Sequence, residues 1–310
     1  MQVVPPTQPV TGRVVENTPC TNGKSASFIR HISIDIGGTP LEGKFRSGQA
    51  FGIVPPGMDA RGRSEKVRLY SISAPTRGED GEGKVLSTTC KRAIEEVELA
   101  AEDGETMKHQ LFLGKCSNYL CNLQVGDEVQ VTGPAGKRFL LPRDPSLHDY
   151  LFLATGTGIA PFRGMVSDLL DSENPCRSEI HLVMGAPYTT DLLYNDFFRD
   201  LAERHSNFHY HTVISREIGA DGKKGGYIHH YLDRQIKMHE QLLSNDRTVM
   251  YLCGLAGMQL GVFQMLGERG LGEGFLKIKD DLKGVDPSEW DSKSIKRNIR
   301  PTARCMLEVY

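Results

Sequence analysis

The chain has 310 residues, with 37 Lys and Arg against 39 Asp and Glu, 39% hydrophobic residues, 33 glycines and one tryptophan. That length points to two domains, and the ordinary balance of charged and apolar residues excludes a disordered or fibrous chain. A net charge of −2 gives no reason to expect nucleic acid.

The first 30 residues carry three prolines before Val10 and no apolar core after a basic start, so no cleavable signal is expected. From Thr11 to about Pro142 short β-rich runs alternate with turns: 28–34, 50–54, 67–72, 85–90 and 128–132, separated by Gly37-Gly38, Pro55-Pro56-Gly57, the glycines from Gly78 to Gly83, and Gly126-Asp127. This predicts an antiparallel barrel or sandwich. One helix fits at 117–123, with Ser117 available as its N-cap. After Pro145 the pattern changes. Apolar runs at 150–154, 180–184, 209–214 and 249–253 alternate with helix-length stretches at 162–171, 191–205, 229–243 and 258–269, and a last strand is expected at 305–310. Strand alternating with helix predicts a parallel sheet covered on both faces. The division expected is 1–144 and 145–310. The longest apolar run, 150–154, is far shorter than the ~20 residues of a spanning helix, so no integral membrane segment is expected. Seven cysteines, an odd number, do not read as a disulfide framework and favour a reducing, cytoplasmic setting. Cys116 and Cys121 have the C-x4-C spacing that opens an iron–sulfur signature, but the next ligand position is Gln124, so no cluster is expected.

Five motifs carry the chemistry. Thr155-Gly156-Thr157-Gly158-Ile159-Ala160-Pro161-Phe162-Arg163 follows the first parallel strand, and its glycines let backbone N–H groups approach a diphosphate. Pro161 suits the first helical position. The third glycine of the usual dinucleotide fingerprint is absent, so a plain βα turn stays open as a reading; the position at a strand's carboxyl end favours the cradle. Ser215-Arg216, with Lys223, Lys224 and Tyr227 following, offers a hydroxyl, cations and a ring to a 2′-phosphoadenosine, or simply a solvated surface. Arg68-Leu69-Tyr70-Ser71 with the run from Gly114 to Cys121 makes a second diphosphate cradle, with Tyr70 as a ring for a flavin. Cys253-Gly254-Leu255 ends another parallel strand; the cysteine is either a small buried hydrophobe or a neighbour of a nicotinamide. The run Leu307-Glu308-Val309-Tyr310 is strand-like, so its last ring is expected to be tied down rather than frayed.

These motifs, in this order and over nearly the whole chain, closely resemble the plant-type (plastid-class) ferredoxin–NADP reductases. The resemblance rests on RLYS at 68–71, GKCSNYLC at 114–121, GTGIAPFR at 156–163, YLCGLAGM at 251–258 and LEVY at 307–310. It implies an antiparallel β-barrel FAD domain followed by an α/β Rossmann-like NADP(H) domain. It implies electron exchange between one-electron carriers and NADP(H) by hydride transfer through the flavin. FAD would be held by Arg68, Leu69, Tyr70, Ser71, Thr89, Cys90, Lys91, Gly114, Lys115, Cys116 and Ser117, with Tyr310 on the ring's second face. NADP would be held by Lys91, Thr157, Ala186, Pro187, Ser215, Arg216, Lys224, Tyr227, Gly254, Leu255 and Glu308. Ser71, Cys253, Glu308 and Tyr310 would be the catalytic residues. Hydride transfer needs the reacting rings within about 3–3.5 Å, so Tyr310 must move aside for the nicotinamide; Ser71 would hydrogen-bond near the reacting flavin nitrogen and Glu308 relay a proton.

Three positions depart from the family pattern. Glu95 stands where the family has an adenine-stacking tyrosine. Gly225 stands where it has a 2′-phosphate lysine, with Lys224 adjacent. Cys90 lies one place beyond the usual cysteine, now Thr89. The implied partner is an acidic carrier, ferredoxin or flavodoxin, met by a basic face. Residues 1–144 hold 18 basic and 17 acidic residues, but nine of the acids, with three bases, fall between Glu79 and Glu105 and read as a segregated acidic loop. Lys44, Arg46, Arg61, Arg63, Lys66, Lys91 and Arg92 are the docking candidates. A monomer is expected. The alternatives are a stand-alone reductase supplying an oxygenase, and a flavin-binding docking module without turnover.

Overall fold

The computed structural model describes residues 3–310 except 22, 24, 60, 101–106, 173, 220, 221 and 223; Lys223 and part of the acidic segment therefore lie outside the described residues. The chain divides into two compact units. One contains Ala26–Arg46 and Ala50–Ala135, and the other contains Gly136–Tyr310 with Ser47–Gln49.

In the first unit the strands are β1 (Val10–Pro19), β2 (Ile29–Asp35), β3 (Ala50–Val54), β4 (Arg68–Ser71), β5 (Val85–Lys91), β6 (Ile94–Ala100), β7 (Met107–Leu113) and β8 (Glu128–Ala135), with α1 at Lys115–Asn122 between the last two. Six of them form one antiparallel sheet in the order β4–β3–β8–β1–β2–β5. Its two edges meet where Ile72 bridges Thr88 and Thr88 Oγ1 donates to the Ser71 carbonyl at 2.8 Å, which closes the sheet into a barrel. Alternation explains the burial. In β1 Gly12 and Val14 point inward between exposed Thr11, Arg13 and Val15. Val14, Ile32, Ile34, Phe51, Ile53, Ile72, Leu86, Val129 and Val131 fill the interior, and α1 caps it with Cys116, Leu120 and Cys121.

Three expectations are corrected in this unit. Strand β1 was not read as a strand. The helix starts at Lys115, with Gly114 as N-cap, so Ser117 is not the cap but the third helical residue. The acidic stretch is not simply a loop, because β6 pairs along its length with β7 as a separate ribbon.

In the second unit β9 (Asp149–Thr155), α2 (Ala160–Leu170), β10 (Ile180–Ala186), α3 (Asn195–Arg204), β11 (Phe208–Ile214), α4 (Ile228–Arg234), α5 (Ile236–Ser244), β12 (Thr248–Gly254) and α6 (Ala256–Glu268) follow in turn. A small ribbon of β13 (Leu276–Ile278) and β14 (Ile299–Pro301) flanks α7 (Ser292–Asn298), and β15 (Cys305–Val309) ends the chain's regular structure. The five long strands form a parallel sheet in the order β11–β10–β9–β12–β15. β10 and β12 are buried throughout and β9 nearly so, as their continuous apolar composition requires when both faces are covered. One face packs Leu151, Leu153, Val183, Val213, Met250 and Leu252 against helical residues such as Leu232, Leu243, Val262 and Phe263. Phe139, Phe152, Phe162 and Tyr251 form an aromatic cluster with ring centroids 4.9–5.8 Å apart. Each such ring contributes about 1.5–3 kcal/mol by leaving water. The helix expected over 229–243 is two helices that meet at Gln235, and Pro161 takes the second helical position rather than the first. The chain starts this sheet at β9, adds β10 and β11 on one side, then returns to add β12 and β15 on the other. The order therefore reverses between β9 and β12, which is where open α/β sheets form ligand crevices.

Candidate functional site

At that reversal two glycine turns press together. Gly158, in the short 3-10 turn Gly156–Ile159, lies so close to β12 that a Cβ would stand 2.1 Å from the Cys253 carbonyl oxygen. Gly254 has φ +138, and a Cβ there would stand 2.2 Å from Thr155 Oγ1. Thr155 Oγ1 instead accepts the Leu255 N–H at 2.9 Å. Only glycine meets both demands, so this part of the sheet end offers backbone and small side chains to a ligand. Thr157 and the half-exposed Leu255 flank it.

Tyr310 is seated on the same turns. Its N–H donates to the Gly254 carbonyl at 3.0 Å, its carbonyl accepts from the Ala256 N–H at 3.2 Å, and its hydroxyl lies 2.7 Å from Thr157 Oγ1. The residue is 63% exposed overall, yet the hydroxyl is sunk toward Thr157, Gly158 and Cys253. Loss of hydration raises its pKa, against the lowering effect of the Thr157 and Gly158 hydrogen bonds. Cys253 is paired in register with Glu308 across β12 and β15. Burial first, and the Glu308 charge second, push its thiol well above the ordinary value, so it stays protonated at neutral pH.

Further along the sheet the carboxyl ends of β10 and β11 carry the remaining dinucleotide candidates. The Ser215 N–H donates to the Ala186 carbonyl at 3.0 Å and the Arg216 N–H to the Pro187 carbonyl at 2.9 Å. Ala186 is buried, so it offers a ligand only backbone, whereas Arg216 and Tyr227 are exposed. Lys224 bridges Ile218, folding the segment back on the end of β11. Gly225 closes that turn: a Cβ there would stand 1.7 Å from the Ile214 carbonyl oxygen. No side chain fits at 225, which gives the sequence departure a physical cause and leaves Lys224 as the adjacent described cation.

In the barrel, β4 alternates Arg68 and Tyr70 with Leu69 and Ser71. Arg68 bonds the Lys66 carbonyl at 3.2 Å, and its positive charge is felt at the Cys116 thiol, which places it by the start of α1. The half-buried Tyr70 donates its hydroxyl toward Cys116 and Cys90, and burial pushes its pKa up strongly. The tyrosine ring is thus held by its tip. Gly114 is packed against Ala93 and Ser117, and the N–H groups of the first helical turn, Lys115 to Ser117, have no partner within the helix. The Ser117 hydroxyl is engaged inside the fold, accepting the Ala93 N–H at 3.1 Å and donating to the Gly114 carbonyl at 3.2 Å. Lys115 pairs with Glu65. Thr89 and Cys90 are buried, Cys90 with its sulfur 3.9 Å from that of Cys121, while Lys91 at the strand end is exposed. None of the seven cysteines is in a disulfide. A guanidinium, a helix start without side chains in the way, and a fixed tyrosine ring form a donor set that fits a flavin dinucleotide.

One residue escaped the sequence reading. Glu95 is paired across the ribbon with Phe112, whose ring is 55% exposed. Cross-strand partners share a face, so an aromatic surface exists directly beside the position where the family's tyrosine is missing. The signal was the alternation in Val97-Glu98-Leu99, which marks a strand in need of a partner.

A closed antiparallel barrel with an anion-binding helix start, followed by a parallel sheet with a glycine-built switch point, is the architecture of a two-domain flavin and pyridine-nucleotide oxidoreductase. Residues 152–263 match the oxidoreductase NAD-binding domain family. The chain is 34% identical over 284 residues to the chloroplastic leaf isozyme 1 of ferredoxin–NADP reductase from Arabidopsis thaliana, covering 90% of this chain and 75% of that protein. It is 35% identical over 263 residues to ferredoxin–NADP reductase from Synechocystis, of whose length it spans 60%. A solved structure of ferredoxin–NADP+ reductase from Plasmodium falciparum with 2′P-AMP has the same fold, with a TM-score of 0.69 at 21% identity over 88% of this chain and 97% of that one. The chain belongs to the ferredoxin–NADP reductase family.

Proposed function

We propose that the protein is a FAD-dependent ferredoxin–NADP(+) reductase. The observation that carries this is the seating of Tyr310 over the β9–β12 reversal, beside the in-register pair Cys253 and Glu308. An aromatic lid, a protonated thiol and a carboxylate meet there where a nicotinamide would dock. When bound, the flavin supplies the exchange between two-electron transfer with NADP(H) and one-electron transfer with the carrier.

The chain's own residues bind, orient and move protons. Arg68 and the N–H groups of Lys115, Cys116 and Ser117 neutralise the FAD diphosphate. Ser117 acts through its backbone, since its hydroxyl is already engaged. Tyr70 offers one aromatic face, fixed by its hydroxyl, and Leu69, Thr89, Cys90 and Gly114 shape the surroundings by backbone and packing. Ser71 donates its hydroxyl near the reacting ring nitrogen, and Phe112, in place of Glu95, stacks on the adenine. Thr157, Ala186, Pro187, Gly254 and Leu255 line the course of the NADP chain, Lys91 also reaches NADP, and Ser215, Arg216, Lys224 and Tyr227 hold its 2′-phosphoadenosine end. Tyr310 occupies the nicotinamide's place and swings away on binding. The contact it gives up offsets part of the nicotinamide's own, so the cofactor binds more weakly and turns over faster. Cys253 stays neutral and gives the incoming ring a soft surface, and Glu308 passes a proton to and from water.

The carrier we propose is an acidic ferredoxin, with flavodoxin as a second carrier of the same charge. Of the expected docking cations, Arg63 is neutralised by Asp59 at 2.8 Å, and Arg92 is engaged by Asn118, Asn122 and the Phe28 ring. The docking charge falls to Lys44, Arg61, Lys66 and Lys91. Among the described residues no helix is long and apolar enough to cross a membrane, and seven cysteines without a disulfide suit a reducing cytoplasm. We propose a monomer. The oxygenase-supplying reductase and the inert docking module gain no specific support from the geometry. The test is the ratio of kcat/KM for NADPH over NADH, measured by cytochrome c reduction through ferredoxin. A clear NADPH preference and an absolute need for ferredoxin are expected; equal use of NADH, or reduction indifferent to ferredoxin, contradicts the assignment.

A further inference from the structure

The sheet face that carries Leu151, Leu153, Val183, Val213, Met250 and Leu252 into the apolar core changes character near the amino ends of β10 and β11. His181, paired in register with His209, shares that face with it and with His211, because side chains two apart along a strand point the same way. The His181 and His209 rings lie 4.5 Å apart. His239 of α5 packs onto them, its ring centroid 5.5 Å from that of His181 and 6.0 Å from that of His211. Glu179, one place before β10, holds a carboxylate oxygen 2.9 Å from His209 Nε2 and 4.0 Å from His181 Nε2. This cluster sits at the strand ends opposite to Thr157, Ser215 and Gly254, so the reductase chemistry does not use it.

The packing alone gives no reason for four imidazoles here. His239 is fully buried and neither ring nitrogen has a partner; His181 is 8% exposed and its Nδ1 has none; His211 Nε2 is buried without one. A buried polar atom without a partner forfeits its hydration, whereas leucine or phenylalanine at these positions would extend the neighbouring core at no such cost. One ligand atom from each of Glu179, His181 and His209 already lies within 4.8 Å of the others. Metal–nitrogen bonds of about 2.0–2.1 Å put neighbouring ligand atoms roughly 3.3 Å apart, a closure that rotation of the exposed Glu179 and the partly exposed His209 side chains supplies.

We propose that Glu179, His181 and His209 form a binding site for a divalent transition-metal ion of the zinc class, with His239 supplying the fourth position from behind. Imidazoles with a single carboxylate suit Zn2+, Co2+, Ni2+ or Cu2+ and not Mg2+ or Ca2+, which take oxygen ligands. β11 is the edge of its sheet, so the ion would clip that edge to β10 and α5.

The experiment uses the full-length, flavin-loaded, tag-free chain after chelator treatment, titrated with Zn2+ by calorimetry and with Co2+ by its visible d–d absorption. One ion per chain is expected, with a rise in unfolding temperature on Zn2+ addition. Because loss of even an outer partner of a metal ligand costs about 10–100-fold in affinity, His209→Gln and Glu179→Gln should each weaken binding at least about tenfold. His148→Gln, outside the cluster, should not. Glu179 is exposed and His209 partly so, so these variants keep the test decisive even if His181→Gln fails to fold. Absence of binding, equal affinity in all variants, or Mg2+ binding as tightly as Zn2+ overturns the proposal.

Discussion

Gly158 and Gly254 show how far single residues decide this site. At Gly158 the obstacle to a side chain is a backbone carbonyl 2.1 Å from where the Cβ would stand, and backbone cannot rotate away. Gly158→Ala is therefore expected to cost about 1–3 kcal/mol of stability and to spread the two turns, lowering NADP(H) affinity more than FAD affinity. Denaturant unfolding and separate cofactor titrations check this, and an alanine variant with unchanged stability and affinity would refute the close packing. Tyr310 carries the second residue-scale expectation. Removing its ring in Tyr310→Ser takes away the competitor for the nicotinamide, so NADP(H) should bind more tightly and turnover should slow. Stopped-flow reduction and equilibrium titration measure both, and weaker binding with unchanged turnover is the opposite outcome. These residues were legible in the sequence because short motifs at strand ends keep their meaning without a partner. The cause of Gly225 was not, since the Ile214 carbonyl that excludes a side chain there comes from the end of another strand.

At the scale of elements, the parallel strands were readable from apolar runs buried on both faces, whereas β1 and the β6–β7 ribbon were not. β1 is marked only by alternation within a polar stretch, and in the ribbon Glu95, Glu96 and Glu98 make β6 read as part of an acidic, solvated segment. Ser117 misled for a related reason: a serine before an apolar run suits an N-cap, but Gly114 enters the helix earlier because it is pinned against Ala93. The ribbon also supplies Phe112. If that ring holds the FAD adenine, Phe112→Ala should loosen FAD by about 1 kcal/mol or more, at least roughly fivefold in Kd, as expected for a lost stacking contact. Glu95→Gln should change it little. Fluorescence titration of the apoprotein decides; equal affinities for wild type and Phe112→Ala would leave the adenine without its proposed support.

For the whole molecule, charge and proton linkage set the conditions of work. Burial is the leading cause that holds His181 down to about 3 and His229 and His239 down to about 4, below the ordinary value of 6.5. An unfolded chain would take up protons that these folded rings refuse. Their contribution is therefore fully present above the unfolded value and is lost as pH falls toward the folded values. The urea midpoint of the metal-free protein should be lower at about pH 5 than at about pH 7.5; a midpoint that holds or rises would show that these rings do not govern acid stability. Ferredoxin binding should weaken as salt rises from low to moderate ionic strength, since exposed charges more than about 10 Å apart are screened at ~0.1 M. Insensitivity to salt would remove the basic docking face from the picture.

The most direct measurement is the visible spectrum of the purified chain under argon, recorded first alone, then with NADPH, then with oxidised ferredoxin. A yellow protein that bleaches with NADPH and recovers its colour as ferredoxin is reduced is the expected result. A colourless chain that takes up no FAD, or a bound flavin that NADPH leaves oxidised, contradicts the assignment.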